Sequence, residues 1–227
     1  MNGFRILKRH RTVDPALVER FRTIPVANIS DVMSRVVAAG PAIRPRHGSG
    51  RVLCGAALTV RCRPGDNVMA HAAIAMAQPG DVIVVDAGGD LTNALIGERM
   101  MYASMRRGVA GWVINGSIRD LAWIRGQDFP VYAAGVTHRG PYKDGPGEIN
   151  VPIAIDGMVI APGDLIVGDD DGVVAVPMDQ AAEICEAAAA KAAQEAATFD
   201  ALGSTDQAAD RATLFRKLRE LGCVIED

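Results

Sequence analysis

Three charged residues, Glu98 and the adjacent pair Arg119-Asp120, are the side chains of this sequence best placed to do chemistry. Arginine grips a carboxylate through two parallel hydrogen bonds, and carboxylates bind hard cations such as Mg²⁺. Gly97 lacks a Cβ and lets a ligand approach the backbone, while N–H groups of residues 97–100 near a helix start would attract an anion. Together these groups suit a small 2-oxo acid, whose keto oxygen an arginine and a metal would stabilise as an enolate forms.

Simpler interpretations of the same residues are open. An Arg-Asp pair after a strand is often a surface ion pair or a helix cap, and Glu98 in a helix is often only solvated. The acidic segment "GDDDGVV" at 168–174 lacks the alternation of a calcium loop and is typical of a hairpin turn. His71 lies in an apolar segment, which favours a core or interface residue over a ligand.

Two apolar strands position the charged residues. "VIVVDA" at 82–87 and "VAGWVIN" at 109–115 are apolar throughout, as strands covered on both faces are. With "FPVYAAG" at 129–135 and the helices between them they give a β-α-β-α-β order, which predicts parallel pairing. Ligands bind beyond the carboxyl ends of such strands, so we expect the loop 88–90 to face residues 116–120 across one cleft.

The remaining segments predict a mixed β/β/α architecture. Asp14 with Pro15 should begin one helix and Ser30 should cap a second. "RVLCGAALTVRCR" at 51–63 predicts a long strand broken by Gly55, and 94–107 predicts a helix closed by Gly108. Asp-Gly and Pro-Gly turns between short strands over 149–177 indicate antiparallel hairpins.

From Asp179 onward the sequence predicts helices. An Ala-rich run is followed by Ser204 and Gln207 at capping-box spacing. Two helices with thin apolar stripes after a finished β domain suggest an arm that packs on a neighbouring subunit; a solvent-exposed tail is the alternative. We therefore divide the chain into an N-terminal helical segment (1–24), a β/β/α domain (25–178) and a C-terminal helical arm (179–227).

Composition limits the classes of function. The chain has 227 residues, 49% of them hydrophobic and 22% charged, and its net charge is −3. Scattered Lys and Arg disfavour a nucleic-acid partner, and without an apolar run of membrane-spanning length or a signal-peptide core we expect no membrane partner and a cytoplasmic location. The four cysteines and four histidines are dispersed, which favours free thiols and, for any metal, oxygen ligands.

The sequence also resembles a known family, the class II pyruvate aldolases. The resemblance covers about residues 25–180 and rests on "AQPGDVIVVDAGGDLTNALIGERM", "RGVAGWVINGSIRD", "FPVYAAGVTHRGP", "GEINVPI" and "PGDLIVGDDDGVVAVP". Its most specific part is an acid, then twenty residues, then Arg-Asp, which Glu98 and Arg119-Asp120 satisfy. The superfamily also contains the regulator of ribonuclease activity A, and some members were once labelled demethylmenaquinone methyltransferases.

The resemblance implies a fold, a reaction and a set of roles. The implied fold is a three-layer β/β/α, swivelling-domain-like single domain, an α/β fold with a mixed sheet, which forms homotrimers or homohexamers with active sites at subunit interfaces. The implied reaction belongs to aromatic degradation. It is retro-aldol cleavage of 4-hydroxy-2-oxo dicarboxylates of the 4-hydroxy-4-methyl-2-oxoglutarate type, or of 4-carboxy-4-hydroxy-2-oxoadipate, to pyruvate and a second keto acid, with oxaloacetate decarboxylation as a side activity. Asp120 would hold Mg²⁺ or Mn²⁺, Arg119 would bind the pyruvyl unit and stabilise the enolate, Glu98 would order metal-bound water, and the backbone of Gly97, Glu98, Arg99 and Met100 would hold the pyruvyl group.

This sequence departs from the family pattern at two positions. Trp123 stands where relatives often carry an acid, and Glu98 replaces the aspartate of some aldolases. In some relatives a tail acid of the next subunit approaches the site, and Glu183, Glu186 or Glu195 could do so here. The alternative function is a non-catalytic, protein-binding regulator of ribonuclease activity.

Overall fold

The computed structural model describes residues 3–36, 39–48, 50–202 and 207–225. The elements within them are β1 (Phe4–Ile6), α1 (Pro15–Phe21), α2 (Val26–Val32), β2 (Arg44–Pro45), β3 (Leu53–Cys62), α3 (Val68–Met76), β4 (Asp81–Asp86), β5 (Ala94–Ile96), α4 (Glu98–Arg106), β6 (Gly111–Ile118), α5 (Leu121–Arg125), β7 (Val131–Val136), β8 (Gly147–Ile149), β9 (Ile153–Ile155), β10 (Met158–Ile160), β11 (Leu165–Asp169), β12 (Gly172–Val176), α6 (Ala181–Leu202) and α7 (Gln207–Glu220).

A large mixed sheet organises the domain. Strands β3, β4, β6 and β7 are parallel neighbours, which confirms the pairing that the β-α-β-α-β order predicts. On its other side β3 pairs antiparallel with β11 and with β8, and β1 and β2 lie at the two edges. The hairpins β9–β10 and β11–β12 are antiparallel, as expected from their turns.

Alternate residues of the central strands face two different cores. Ile83 and Val85 pack into the cluster beneath α3, α4 and α5, whereas Val82 and Val84 pack against the β9–β10 hairpin. This alternation explains why the strand is apolar at every position. A helical layer, the sheet and a β layer therefore stack in order, which is the β/β/α arrangement expected from the sequence.

Several element boundaries differ from the sequence prediction because distant residues decide them. Asp14 caps α1 as expected, but Ser30 lies inside α2, whose first amide, that of Val26, donates to the Asp169 carboxylate at 2.9 Å. Gly55 does not break β3; a Cβ there would lie 2.2 Å from the Gly80 carbonyl oxygen, so the glycine permits a close backbone approach.

The expected helix over 94–107 is shorter than predicted. Ala94–Ile96 forms β5, which pairs in parallel with the end of β6, and α4 begins only at Glu98. Buried apolar runs of three residues carry no periodicity, so the strand was indistinguishable from helix in the sequence. Gly108, in the left-handed region at φ 74°, follows the end of α4 as expected.

The chain forms two compact units, Met1–Ala189 and Ala190–Asp227. The first unit includes the segment 1–24, which is not purely helical: β1 pairs in parallel with β8, and Phe21 of α1 is fully buried. It also includes the first turns of α6, where Ala181, Cys185 and Ala188 are buried, so the boundary expected at 178 falls within continuous packing. The second unit contains the rest of α6 and α7; Ser204 of the predicted capping box lies outside the described residues.

Candidate active site

A cavity of about 590 Å³ opens at the carboxyl ends of β5 and β6. One wall is the junction of β5 with α4, residues 94–100. One face of α3 forms another part of the wall, and Arg119, Asp120 and Lys143 also line the cavity. The two segments that the sequence singled out therefore share one pocket, although twenty residues separate them along the chain.

Gly97 is the point of closest contact between these segments. A Cβ at Gly97 would lie 2.2 Å from Asp120 Oδ2 and 2.9 Å from Arg119 Cγ. Its φ of −152° is ordinary extended backbone, so the glycine is needed here for space and imposes no special conformation. Any side chain at this position would displace the Arg-Asp pair.

Asp120 is held in place by the start of α4. The backbone N–H of Glu98 donates to Asp120 Oδ2 at 3.0 Å. Asp120 itself lies in the left-handed region, at φ 61° and ψ 37°, a conformation that aspartate tolerates better than most residues. The alternative of a helix cap is thus correct in part, because this carboxylate caps α4 and also lines the cavity.

Arg119 lies beside Asp120 with its guanidinium available. Its Nε is 3.7 Å from Asp120 Oδ2, too long for a hydrogen bond, and its side chain is 44% exposed. Within the described residues its guanidinium donates no hydrogen bond. Its backbone N–H donates to the Ile96 carbonyl at 3.0 Å, which fixes where the side chain leaves the strand. The position suits a two-point contact with an anion in the cavity.

The anion-binding site predicted for the backbone N–H groups of Gly97, Glu98, Arg99 and Met100 exists only in part. The N–H of Glu98 is taken by Asp120, and the N–H of Met100 donates to the Gly97 carbonyl at 3.1 Å. Within the described part of the chain the N–H groups of Gly97 and Arg99 donate to no protein acceptor. The Glu98 and Arg99 side chains are exposed at the cavity, and Met100 is buried.

One face of α3 contributes residues that the sequence analysis did not assign to the site. Asn67, His71, Ile74 and Ala75 line the cavity, at the spacing of successive turns. The helical spacing of these residues is visible in the sequence, but the sequence does not show which face of α3 packs near α4. His71 is exposed, so a core position is wrong, and a position at a subunit interface stays a prediction. Partial burial at the cavity wall and the nearby Lys143 lower the pKa of His71.

Asn67 connects α3 to the backbone of the β5–α4 junction. It is 3% exposed, and its Nδ2 donates to the Leu95 carbonyl at 2.7 Å and approaches Met100 Sδ at 3.4 Å. Its Oδ1 is buried and has no hydrogen-bond partner among the described residues. A flipped amide would place oxygen against the Leu95 carbonyl, so the observed orientation is the favourable one.

The loop 88–90 does not line this cavity, contrary to the expectation of a cleft between it and residues 116–120. The Asp90 carboxylate accepts from the N–H groups of Thr92 and Asn93, which lowers its pKa, and the loop packs beside Asn115. The intervening β5 separates the loop from the pocket. The cleft was expected beside the loop 88–90, but the cavity lies beside residues 94–100, because Ala94–Ile96 forms a strand where a helix was predicted.

The chain resembles known proteins in sequence and in fold. A family model described as RraA-like, Aldolase/RraA, matches residues 26–175. The chain belongs to the RraA-like family. A protein of Halalkalibacterium halodurans named "Putative 4-hydroxy-4-methyl-2-oxoglutarate aldolase" is 40% identical over 180 residues, which are 79% of this chain and 85% of that protein.

Solved structures of the family show the same fold. An uncharacterized protein from Pseudomonas syringae pv. tomato superposes with a TM-score of 0.77 at 25% identity, covering 87% of this chain and 97% of that one. RraAS2 of Streptomyces coelicolor, described as an unusual member of the RNase ES inhibitor RraA protein family, gives a TM-score of 0.73 at 27% identity, covering 84% of this chain and 98% of that one. The RNA-processing inhibitor RraA from Thermus thermophilis gives 0.62 at 27% identity over 67% and 92%. The relatives thus include a protein named "Putative 4-hydroxy-4-methyl-2-oxoglutarate aldolase", one named as an RNA-processing inhibitor and one named as a member of an RNase ES inhibitor family.

Proposed function

We propose that this protein is a divalent-metal-dependent aldolase that cleaves 4-hydroxy-2-oxo dicarboxylates of the 4-hydroxy-4-methyl-2-oxoglutarate type to pyruvate and a second keto acid. The observation that carries the proposal is the convergence of Glu98, Arg119 and Asp120 on one cavity of substrate size. The name of the Halalkalibacterium halodurans relative supports the same reaction class.

The residues present fit a hard cation that keeps most of its waters. One oxygen of Asp120 caps α4, and among the described residues no hydrogen bond reaches the other. No cluster of three or more His, Cys, Asp and Glu occurs in the described part of the chain, so few protein ligands are available. Mg²⁺ typically binds through one or two carboxylates plus water and substrate, and Mn²⁺ accepts similar ligands. Asp120 would hold the ion directly and Glu98 through water.

Each residue then has a defined task. The free N–H groups of Gly97 and Arg99 would bind the carboxylate of the pyruvyl unit at the start of α4. Arg119 would donate to the keto oxygen and stabilise the negative charge that forms there as the C3–C4 bond breaks. The bound divalent ion would supply Lewis-acid polarisation of the 2-oxo acid. Oxaloacetate decarboxylation passes through the same enolate and is the expected side activity.

A continuous assay of pyruvate release tests the proposal. The protein would be supplied with 4-hydroxy-4-methyl-2-oxoglutarate or oxaloacetate, with Mg²⁺ or Mn²⁺ and with EDTA. We expect turnover that EDTA abolishes and added metal restores. Turnover unaffected by EDTA, or no pyruvate from any 2-oxo acid, would contradict the proposal.

The second candidate function is regulation of a ribonuclease, which the RraAS2 and RraA neighbours favour. Inhibition of ribonuclease E that persists in an Asp120→Ala variant without aldolase activity would support this role. We further propose a homotrimer or homohexamer. Exposed apolar side chains such as Leu214 and Leu221 in the second unit offer a surface for subunit packing.

The tail acids remain candidates for a contribution to a neighbouring subunit. Glu183 is exposed, Glu186 accepts from Arg20 at 2.7 Å, and Glu195 pairs with Lys191 at 2.8 Å. The described residues include no helix long and apolar enough to cross a membrane. A cytoplasmic location stays a prediction.

A further inference from the structure

The proposed reaction needs a group that removes the proton of the C4 hydroxyl. Glu98 is assigned to metal-bound water, so this task has no assigned residue among the acids of the cavity. Arg119 is a permanent cation and cannot accept a proton at physiological pH. One oxygen of Asp120 accepts from the Glu98 N–H, and the other is the proposed ligand of the cation. Trp123 occupies the position three residues beyond Asp120, and indole is a donor only. Its side chain also packs against the core beneath the helices.

His71 is a titratable base in the wall of the same cavity. It lies one turn beyond Asn67 on α3, its N–H bonded to the Asn67 carbonyl at 3.0 Å, so both project from the face that lines the pocket. The imidazole is exposed, and among the described residues it has no hydrogen-bond partner that would commit either ring nitrogen. It lines the same cavity as the first residues of α4, whose N–H groups are proposed to bind the pyruvyl unit.

We propose that His71 is the general base of the retro-aldol step, an assignment that rests on the proposed function. The neutral imidazole takes the proton of the C4 hydroxyl, and the C4–O bond becomes a carbonyl. The C3–C4 bond breaks and its electron pair passes to C3, giving the enolate of pyruvate, whose oxygen faces Arg119. The proton held on His71 then returns to C3, so protons and electrons balance without a further reactant.

Burial and a nearby positive charge both favour the neutral form of His71, which a general base requires. The cations in the cavity lining are Lys143 in the loop after β7, Arg99 of α4, Arg107 directly after α4 and Arg119 directly after β6; Glu98 and Asp120 are the acids in the lining. Partial burial, followed by the charge of Lys143, lowers the pKa of His71. This shift favours the neutral imidazole, which can accept a proton.

The two reactions expected of this site separate catalysis by His71 from support of the structure. Retro-aldol cleavage requires loss of the C4 hydroxyl proton. Decarboxylation of oxaloacetate releases CO₂ from C4 as the carboxylate and has no such proton to remove. Both reactions share the enolate, Arg119 and the cation, so damage to the shared machinery lowers both rates.

The test compares His71→Gln with wild type in both reactions under the same metal conditions, with His138→Gln as control. His138 is exposed and lies outside the cavity lining. We expect His71→Gln to lower kcat for cleavage of 4-hydroxy-4-methyl-2-oxoglutarate by about 100-fold or more, the usual contribution of a general base. Decarboxylation should fall less than about threefold, and His138→Gln should keep both rates.

The pH profile gives a second readout. In wild type, kcat/KM for cleavage should rise with pH through an inflection below the ordinary histidine pKa, because only neutral His71 accepts a proton. Lys143→Met removes a neighbouring positive charge and should move the inflection to higher pH, and His71→Gln should abolish it. Equal losses in both reactions, or no loss in cleavage, would overturn the assignment of His71. A wild-type protein inactive toward both substrates would instead overturn the proposed function, and the assignment with it.

Discussion

Substitution of Gly97 by alanine tests the geometry of the site most directly. The new Cβ would lie 2.2 Å from Asp120 Oδ2 and 3.1 Å from Arg119 Nε, whereas ordinary contacts begin near 3.4 Å. The carboxylate must therefore move by roughly 1 Å, because the backbone of α4 is fixed by helical hydrogen bonds. Gly97 has an extended φ, so alanine adds no backbone strain of its own.

Two quantities follow from this displacement. Loss of the Asp120 contact with the Glu98 N–H removes a charge-assisted hydrogen bond that is partly solvent-screened, worth about 1 kcal/mol of unfolding free energy. In a domain of this size that loss lowers Tm by about 2–4 °C. A catalytic group misplaced by 1 Å costs about 100-fold in rate, so we expect kcat/KM to fall by that factor, or about 2.7 kcal/mol.

The assay is pyruvate release at several substrate concentrations, paired with a thermal melt. Gly48→Ala is the matched control, since a Cβ there would meet only the Arg125 carbonyl oxygen at 3.6 Å. The control should keep both activity and Tm. If Gly97→Ala retained kcat/KM within about threefold of wild type, the close packing of Asp120 and Arg119 on Gly97 would have no role in catalysis.

Three further predictions concern single side chains. Arg119→Ala should lose about 3 kcal/mol or more of transition-state stabilisation, measured as kcat/KM, whereas Arg99→Ala should lose much less, because Arg99 contributes its backbone N–H; equal losses would contradict these roles. Asp120→Asn keeps an oxygen that can cap α4 but loses the negative charge. Thermal melts should therefore show near-wild-type stability, while added Mg²⁺ or Mn²⁺ should fail to restore activity. Wild-type activity with added metal would exclude Asp120 as the ligand. Iodoacetamide should label the exposed Cys223 of the native protein before Cys54, as measured by mass spectrometry. Burial raises the pKa of the Cys54 thiol to about 12, which leaves little reactive thiolate there. The reverse order of labelling would contradict that burial.

The sequence was most informative where local pattern and global fold agree. The parallel strands β4 and β6 are apolar and flanked by turn residues. Strand β4 lies within one residue of its predicted bounds, whereas β6 extends three residues past its predicted end, to Ile118. The Asp14 cap and the hairpins also follow local rules. Such features depend on residues within a few positions of one another, so a single sequence contains what is needed to predict them.

Features that depend on distant residues were missed or misplaced. The cap of α2 comes from Asp169, 143 residues further along the chain. Strand β5 exists because the end of β6 offers it a partner, and without that partner three apolar residues before a helical pattern look like helix. The α3 wall of the cavity, with Asn67 and His71, required knowledge of helix packing that periodicity alone does not give.

Asp120 shows why a helix cap and a ligand are not competing interpretations of an Arg-Asp pair. The Asp120 carboxylate accepts a hydrogen bond from the first amide of α4, and this donor holds the side chain in place. The same bond fixes one oxygen and leaves the other free among the described residues, in a cavity that Arg119 shares. Because Gly97 has no Cβ, this arrangement forms without backbone displacement. A cap in this position therefore pre-organises a charged acceptor for a cation, so the structural role and the proposed catalytic role depend on the same contact.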